Sequence, residues 1–293
     1  MIKIRRRDAI ILAAMFIPGF LYYGYLLLYP LQQGLVLSFY RWPTLNTRVY
    51  TGIGNYISVF NNPFFFRSLT TTFVFMFWTT LIQVIIGYTI GYILYLRLKG
   101  FRFFKSVYFL PVVLTTVSVG FIWTNIFSPA MGIARPIMDA LGIGDLYFSP
   151  LGRSGTALGA VITAQVWSQM GIQIILFNSG FMGINEEVLE SAAIDGASNL
   201  RIHFSMIIPM SKQIFRTILI LQIVGVLRIF DLVWVMTGGG PVHSTEILPL
   251  HLFINAFNNL RLGYGAVIGV IILFLALAIN GIIRLLTRGD SLY

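Results

Sequence analysis

Apolar residues in this chain come in runs of about 20 or more, separated by shorter polar connections. A run of that length matches the hydrocarbon thickness of a bilayer crossed by an α-helix. Six such runs stand out: residues 9–29, 70–96, 106–127, 156–182, 213–236 and 264–286. The first can run on past Pro30 towards Phe39. The runs are continuous and lack the short alternating strands of a barrel, so the pattern predicts an all-α integral membrane protein with six transmembrane helices. One domain over 1–293 is expected, with no internal repeat and no separate soluble domain.

The polar residues fall where this pattern needs them. Lys3, Arg5, Arg6, Arg7, Arg97, Lys99, Arg102, Lys105, Arg201, Lys212, Arg216, Arg284 and Arg288 lie on one set of ends and connections. Arg41, Arg48, Arg67, Arg135, Arg153 and Arg261 lie on the other, and Arg228 sits within the fifth run. The richer set marks the cytoplasmic side, which places both termini in the cytoplasm. The N-terminal run is too long for the apolar core of a signal peptide and reads as an uncleaved span. The outer connections, 40–67, 128–155 and 237–263, are rich in Asn, Pro, Gly and aromatics and read as structured loops or short interfacial helices.

Composition narrows the function classes. The chain is 57% hydrophobic and only 10% charged, with a mean hydropathy of +0.83. That is too little charge to coat a soluble globule of this length. The net charge of +10 lies at span ends, which points to membrane orientation and not to nucleic acid. There are no cysteines, which excludes disulfides, thiolate metal sites and a cysteine nucleophile. His203, His243 and His251 lack metal-ligand spacing and read as polar loop residues. Gly238-Gly239-Gly240-Pro241 lacks the Lys-Ser/Thr of a phosphate loop and reads as a hinge at a helix end. No catalytic residue is expected. A hydrolase constellation is missing, and the carboxylate relay of a proton- or sodium-driven transporter would have only Asp231 to use.

The polar interruption at residues 186–209 lies between the fourth and fifth runs and is predicted to face the cytoplasm. Asn185 can cap a short helix with Glu186 and Glu187 in its first turn. Gly196 permits a sharp bend. Ser198 can cap a second helix carrying Leu200 and Phe204 on one side, and Pro209 suits the opening of the next span. The expected product is a bent helix pair along the membrane surface. Its small residues let another backbone approach, and Glu190 and Asp195 offer acceptors.

This stretch resembles the EAA loop of permease subunits of binding-protein-dependent ABC carbohydrate importers, of the type I, maltose-transport kind. The family pattern is E-A-A, three residues, Gly, nine residues, then I-x-L-P. Here Glu190-Ser191-Ala192, Gly196 and Met206-Ile207-Ile208-Pro209 fill it, with Ser191, Met206 and Ile208 as mild departures. Val233–Pro241 (V-W-V-M-T-G-G-G-P) followed by Ser244-Thr245-Glu246, and Leu28–Leu31 with Ser38-Phe39, are similar to other segments of the same group.

The resemblance implies a multi-pass protein of the cell (inner, cytoplasmic) membrane that performs no chemistry itself. It implies a second, homologous permease subunit, two cytoplasmic ATPases that bind ATP and Mg, an extracytoplasmic solute-binding protein, and a sugar or oligosaccharide cargo. No cofactor belongs to this chain. ATPase coupling would fall on Glu190, Ser191, Ala192, Asp195, Gly196 and Pro209. Glycerol phosphate, a polyol or a polysaccharide are alternative cargoes, and a secondary transporter is the more distant alternative.

Candidates for contact with cargo are polar groups at membrane depth. Gln165, Gln169 and Gln173 share one helix face, and a glutamine facing lipid is costly, so this stripe should face the bundle. It could line the cargo path near the midplane or bind helices together. Gln222 is a further lining candidate, and Trp167 and Trp234 could stack on sugar rings. Arg228 and Asp231, three apart, are either a mutually neutralised pair or functional charges. Gly265-x-x-x-Gly269 is a candidate close-packing face.

Overall fold

The computed structural model describes residues 6–44, 47–96, 100–130, 132–142 and 149–286. The orientation residues Lys3, Arg5, Arg97, Lys99 and Arg288 lie outside them. The backbone falls into two compact units, Met1–Asn62 with Leu252–Leu273, and Pro63–His251 with Phe274–Tyr293.

In the first unit, α1 (Arg6–Tyr23) runs through a π turn (Gly24–Leu28) into α2 (Tyr29–Leu37). The first apolar run thus continues past Pro30. Met15, Phe16, Phe20 and Tyr22 are all more than two-thirds exposed. A helix so apolar and so bare requires lipid or another chain around it. A small antiparallel hairpin follows, β1 (Tyr40–Thr44) and β2 (Thr47–Tyr50), pairing Tyr40 with Tyr50 and Arg41 with Val49. This departs from the all-α expectation. Ring contact of Tyr40 with Tyr50 and the Arg48 guanidinium 4.7 Å above Trp42 hold it.

After the hairpin, α3 (Gly54–Phe60) supplies Asn55, whose amide donates to the Ser38 and Tyr40 carbonyls at 2.8 and 2.9 Å. Those bonds satisfy chain that leaves the helix and turns back. Gly265 passes so near Ala256 that an added methyl would lie 2.6 Å from its Cβ, so the first glycine of the predicted packing pair does bring two backbones together.

The second unit is built on α8 (Ala157–Met182), which matches the fourth apolar run almost residue for residue. It packs along α4 (Pro63–Tyr95), which begins seven residues before the second run. The two helices approach most closely at Gly87 and Gly91. A Cβ on Gly87 would lie 2.8 Å from the Gln173 Cβ, and one on Gly91 the same distance from the Phe177 Cβ. Small residues at such crossings let membrane helices gain dispersion contact where no hydrophobic force drives them together.

Two other apolar runs are not straight spans. The third divides into α5 (Phe101–Phe109), a 3-10 turn (Leu110–Val113) and α6 (Thr116–Ile126), with a 100° bend between Phe103–Val113 and Thr116–Ile126. Leu114 and Thr115 are extended there, and Thr115 starts the new helix by accepting from the Ser118 amide at 3.2 Å. Beyond α6, α7 (Ala134–Ala140) is a short helix in the second outer connection.

The fifth run is broken between α12 (Lys212–Val226) and α13 (Asp231–Thr237). Bonds from the Arg228 and Ile229 amides to the carbonyls of Gly225 and Val226 tighten the last turn and end α12. Asp231 then falls in the first turn of α13, where a carboxylate is favourable. After α14 (Leu248–Phe253), α15 (Leu262–Leu286) is one continuous helix. By length and composition, four helices among the described residues can cross a membrane, or up to six if the bent pairs Phe103–Val113 with Thr116–Ile126 and Asn199–Met210 with Lys212–Val226 each make one span.

Overfilling the α4–α8 contact should destabilise the fold. Gly91→Leu is expected to cost about 1–3 kcal/mol and to lower the melting temperature in detergent, whereas Gly159→Leu, at a glycine with nothing within 4 Å of a Cβ, should leave it nearly unchanged.

Candidate functional site

The polar segment between α8 and α12 folds as its residue types dictate. Asn185 Oδ1 accepts from the Glu187 amide at 3.0 Å and starts α9 (Glu186–Ile194), with Glu186 and Glu187 in the first turn. The helix stops at a left-handed Gly196, φ +81°. The Ala197 amide returns to the Ala192 carbonyl at 3.0 Å and the Gly196 amide to Ala193 at 3.1 Å. This is a Schellman closure, which satisfies carbonyls left open at a helix end. Ser198 Oγ then accepts from the Arg201 amide at 3.3 Å and opens α10 (Asn199–Ile202). A π turn (His203–Ile207) carries the chain into α11 (Ile208–Met210).

The second helix is therefore longer than one turn. Pro209 does not open the next span, as expected, but sits in the last turn before it. The chain bends by 56° between Asn199–Met210 and Lys212–Val226. Ser211 sits in that bend with its hydroxyl on the Ile207 carbonyl.

The segment has two faces. Leu189, Ala192, Ala197, Ile202, Met206 and Ile207 pack onto a core that includes Phe177 and Phe181 of α8 and Ile218 of α12. Ile194, Leu200 and Phe204 stand out, at 86%, 73% and 64% exposure. Glu190, Ser191, Asp195, Gly196 and Pro209 are also exposed, while Ala192 is half-buried. A shallow groove of about 320 Å³ is lined by Ala192, Asp195, Arg201 and Ser205, among others. Apolar side chains so bare beside acceptors make a surface suited to another protein.

The glutamines do something more specific than form a stripe. Gln173 Nε2 donates to Gln222 Oε1 at 2.6 Å, Gln222 Nε2 donates to Gln83 Oε1, and Gln83 Nε2 donates to the Gln165 carbonyl at 3.0 Å. This chain of amides ties α4, α8 and α12 together, and Gln83, Gln165, Gln173 and Gln222 are all buried. Gln169 is only half-buried, so the three α8 glutamines do not present one uniform face. The arrangement bonds helix to helix at Gln173 and Gln222. Gln83 escaped the sequence reading because a lone polar residue in a long apolar run carries no spacing signal.

Arg228 and Asp231 are not a helical i, i+3 pair. They fall on either side of the break between α12 and α13, and no ion pair joins them. Arg228 and Trp234 are exposed and Asp231 is half-buried. Trp167 meets Trp123 edge-to-face, with centroids 5.8 Å apart.

The family model for "Binding-protein-dependent transport system inner membrane component" matches residues 83–289, which include the whole polar segment. The chain belongs to that family. Among relatives of this permease, the multiple sugar-binding transport system permease of Streptococcus mutans is 31% identical over 88% of each chain. The trehalose/maltose transport system permease of Thermococcus litoralis is 29% identical over 87% of this chain and 90% of its own. In fold, the permease is similar to a chain of a bacterial ABC transporter involved in import of the acidic polysaccharide alginate. The TM-score is 0.84, with 18% identity over 98% of this chain and 97% of that one.

The permease also holds a polar cluster where simple loop histidines were expected. Gly238 caps α13 in the left-handed region, as a glycine hinge at a helix end should, and Gly239, Val242 and His243 also have positive φ. Glu246 fastens this turn. One carboxylate oxygen meets His243 Nδ1 and the other meets His251 Nδ1, with Glu246 and His251 buried. Thr237 and Thr245 hydroxyls join at 2.7 Å, and the Leu248 amide donates to Thr72 Oγ1 of α4 at 2.8 Å. Among the described residues, no group of three or more His, Cys, Asp or Glu is placed to hold a metal.

Burial works to raise the Glu246 carboxyl, but its bonds with His251 and His243 outweigh it and hold the group below its ordinary value. A lowered folded-state pKa means stabilisation that is complete above the ordinary value and lost as pH falls through the lowered one. Glu246→Gln should therefore melt at a lower temperature than wild type at neutral pH. The gap should close progressively below about pH 4, as read by melting in detergent across a pH series.

Proposed function

We propose that this permease is one half of the translocation pore of an ATP-driven importer for a sugar or oligosaccharide. It acts as a single domain over 1–293 in the cell (inner) membrane, with six spans and both termini in the cytoplasm. Each of the two bent pairs, Phe103–Val113 with Thr116–Ile126 and Asn199–Met210 with Lys212–Val226, then counts as one span. A second, homologous permease subunit completes the pore, covering part of the apolar surface that α1 leaves bare. An extracytoplasmic solute-binding protein delivers cargo to the outer loops. The names of the relatives, one for multiple sugars and one for trehalose and maltose, support the cargo class.

The observation that carries the coupling role is the polar segment 186–209, capped at Asn185 and Ser198 and bent at Gly196, with Ile194, Leu200 and Phe204 presented outwards. One of two cytoplasmic ATPases would seat on this face, with Glu190, Ser191, Ala192 and Asp195 in the contact. ATP and Mg²⁺ belong to that ATPase, and this chain contributes no catalytic residue. Closure of the ATPase pair would push the segment, and the linked spans would switch the pore from inward- to outward-facing. The coupling is reciprocal, so a loaded binding protein should in turn favour the ATPase-closed state. Gln165, Gln169, Asp231 and Trp234, whose side chains lie outside the amide chain, are the cargo-path candidates.

Gly196→Val should strain the bend, because a β-branched residue is disfavoured at positive φ. Uptake by the reconstituted complex is expected to fall at least about fivefold, the lower edge of ordinary coupling energies, with the ATPase still co-purifying. Uptake that persists in the variant would reject the coupling role. Uptake that needs no ATP and is abolished by an ionophore would favour a secondary transporter instead.

A further inference from the structure

The polar segment meets the bundle through one side chain whose chemistry the packing does not require. His203 opens the π turn after α10 and is half-buried. Its Nε2 lies 3.0 Å from Tyr88 Oη on α4. Its ring centroid is 4.4 Å from that of Tyr92, at 67°. Tyr88 and Tyr92 are successive turns of the same helix face, nearly parallel, with centroids 6.5 Å apart. Tyr88 also meets Phe177 and Phe181 of α8 edge-on and stacks on Phe215 of α12 at 5.4 Å. One imidazole from the segment thus meets two tyrosines of α4, and one of these, Tyr88, packs against rings of α8 and α12.

His203 Nδ1 is buried and has no hydrogen-bond partner. A phenyl ring would fill this space without the buried, unpaired Nδ1, at the loss of the bond between Nε2 and the Tyr88 hydroxyl, and unpaired buried atoms are costly. What imidazole adds is direction, a bond to a single atom of α4. A π turn, of the kind that often marks functional positions in helices, begins at this residue. Tyr88 lies five residues beyond Gln83, so the helix that receives His203 is also the helix that enters the amide chain to α8 and α12.

We propose that His203 is the positioning residue that makes the coupling segment and α4 move as one body, passing displacement of the segment to the Gln83–Gln222 network. The proposal rests on the coupling role of residues 186–209. The packed cluster alone would let the segment slide over an apolar surface. The His203–Tyr88 bond fixes its register along α4.

The test uses the complete transporter with its binding protein in proteoliposomes and reads cargo taken up per ATP hydrolysed. His203→Phe and Tyr88→Phe should each lower that ratio at least about fivefold. The double variant should fall no further than the worse single one, because both remove the same bond. His203→Gln, which keeps a polar atom near Nε2, should recover the ratio to within about twofold of wild type. Co-purification of the ATPase with each variant shows that a lost ratio is not lost assembly. Normal coupling in His203→Phe, additive losses in the double variant, or no recovery with glutamine would overturn the proposal. Should Gly196→Val uncouple while His203→Phe does not, only this proposal fails. Should Gly196→Val couple normally, the coupling role of the segment fails with it.

Discussion

The close approach of α4 and α8 is the constraint on which the second unit depends. In a bilayer the lipid is as apolar as the side chains, so helices gain little by merely hiding leucines from it. What holds α4 to α8 is contact at Gly87 and Gly91, where no Cβ fits. The amide chain that begins at Gln83 adds to it. The side chains of Gln83, Gln173 and Gln222 would be expensive against lipid, and their cost falls only when the helices stand near enough for one amide to reach the next. Backbone proximity and polar satisfaction are therefore one requirement, met by the same pair of helices.

The segment 186–209 obeys a different rule, because it makes most of its order locally. Asn185, Gly196 and Ser198 each meet a backbone need within a few residues of themselves, as cap, stop and second cap. A bent unit built in this way keeps its shape with half of its surface bare. It suits a part that must be pressed from one side and pass on displacement from the other. The Glu246 turn follows similar logic on another connection. There the glycines allow the backbone path, and one buried carboxylate shared by two histidines holds it.

Apolar run length, basic residues at the ends of runs and local capping chemistry are properties of short stretches, and each was legible in the residues themselves. They located the four helices long and apolar enough to cross a membrane, singled out residues 186–209 and placed their caps and bend. The EAA-type spacing pointed to the family that the match over residues 83–289 shows. The breaks at Leu114–Thr115 and at 227–230 did not follow from apolar run length, which does not distinguish a straight helix from a bent one, although Pro111 precedes the first and Arg228 and Asp231 mark the second. The Arg228–Asp231 spacing pointed to a helical pair only because a continuous helix was assumed.

Partnerships between distant residues were decided by the tertiary structure alone. Gln83 meets Gln222, Tyr88 meets His203 and Thr72 meets the Leu248 amide across separations of more than a hundred residues. His251 reads as a loop residue until the fold buries it against Glu246. A polar side chain declares its type in the sequence, but its partner depends on which helices lie together. That is a matter of packing over the whole unit, which no local pattern encodes.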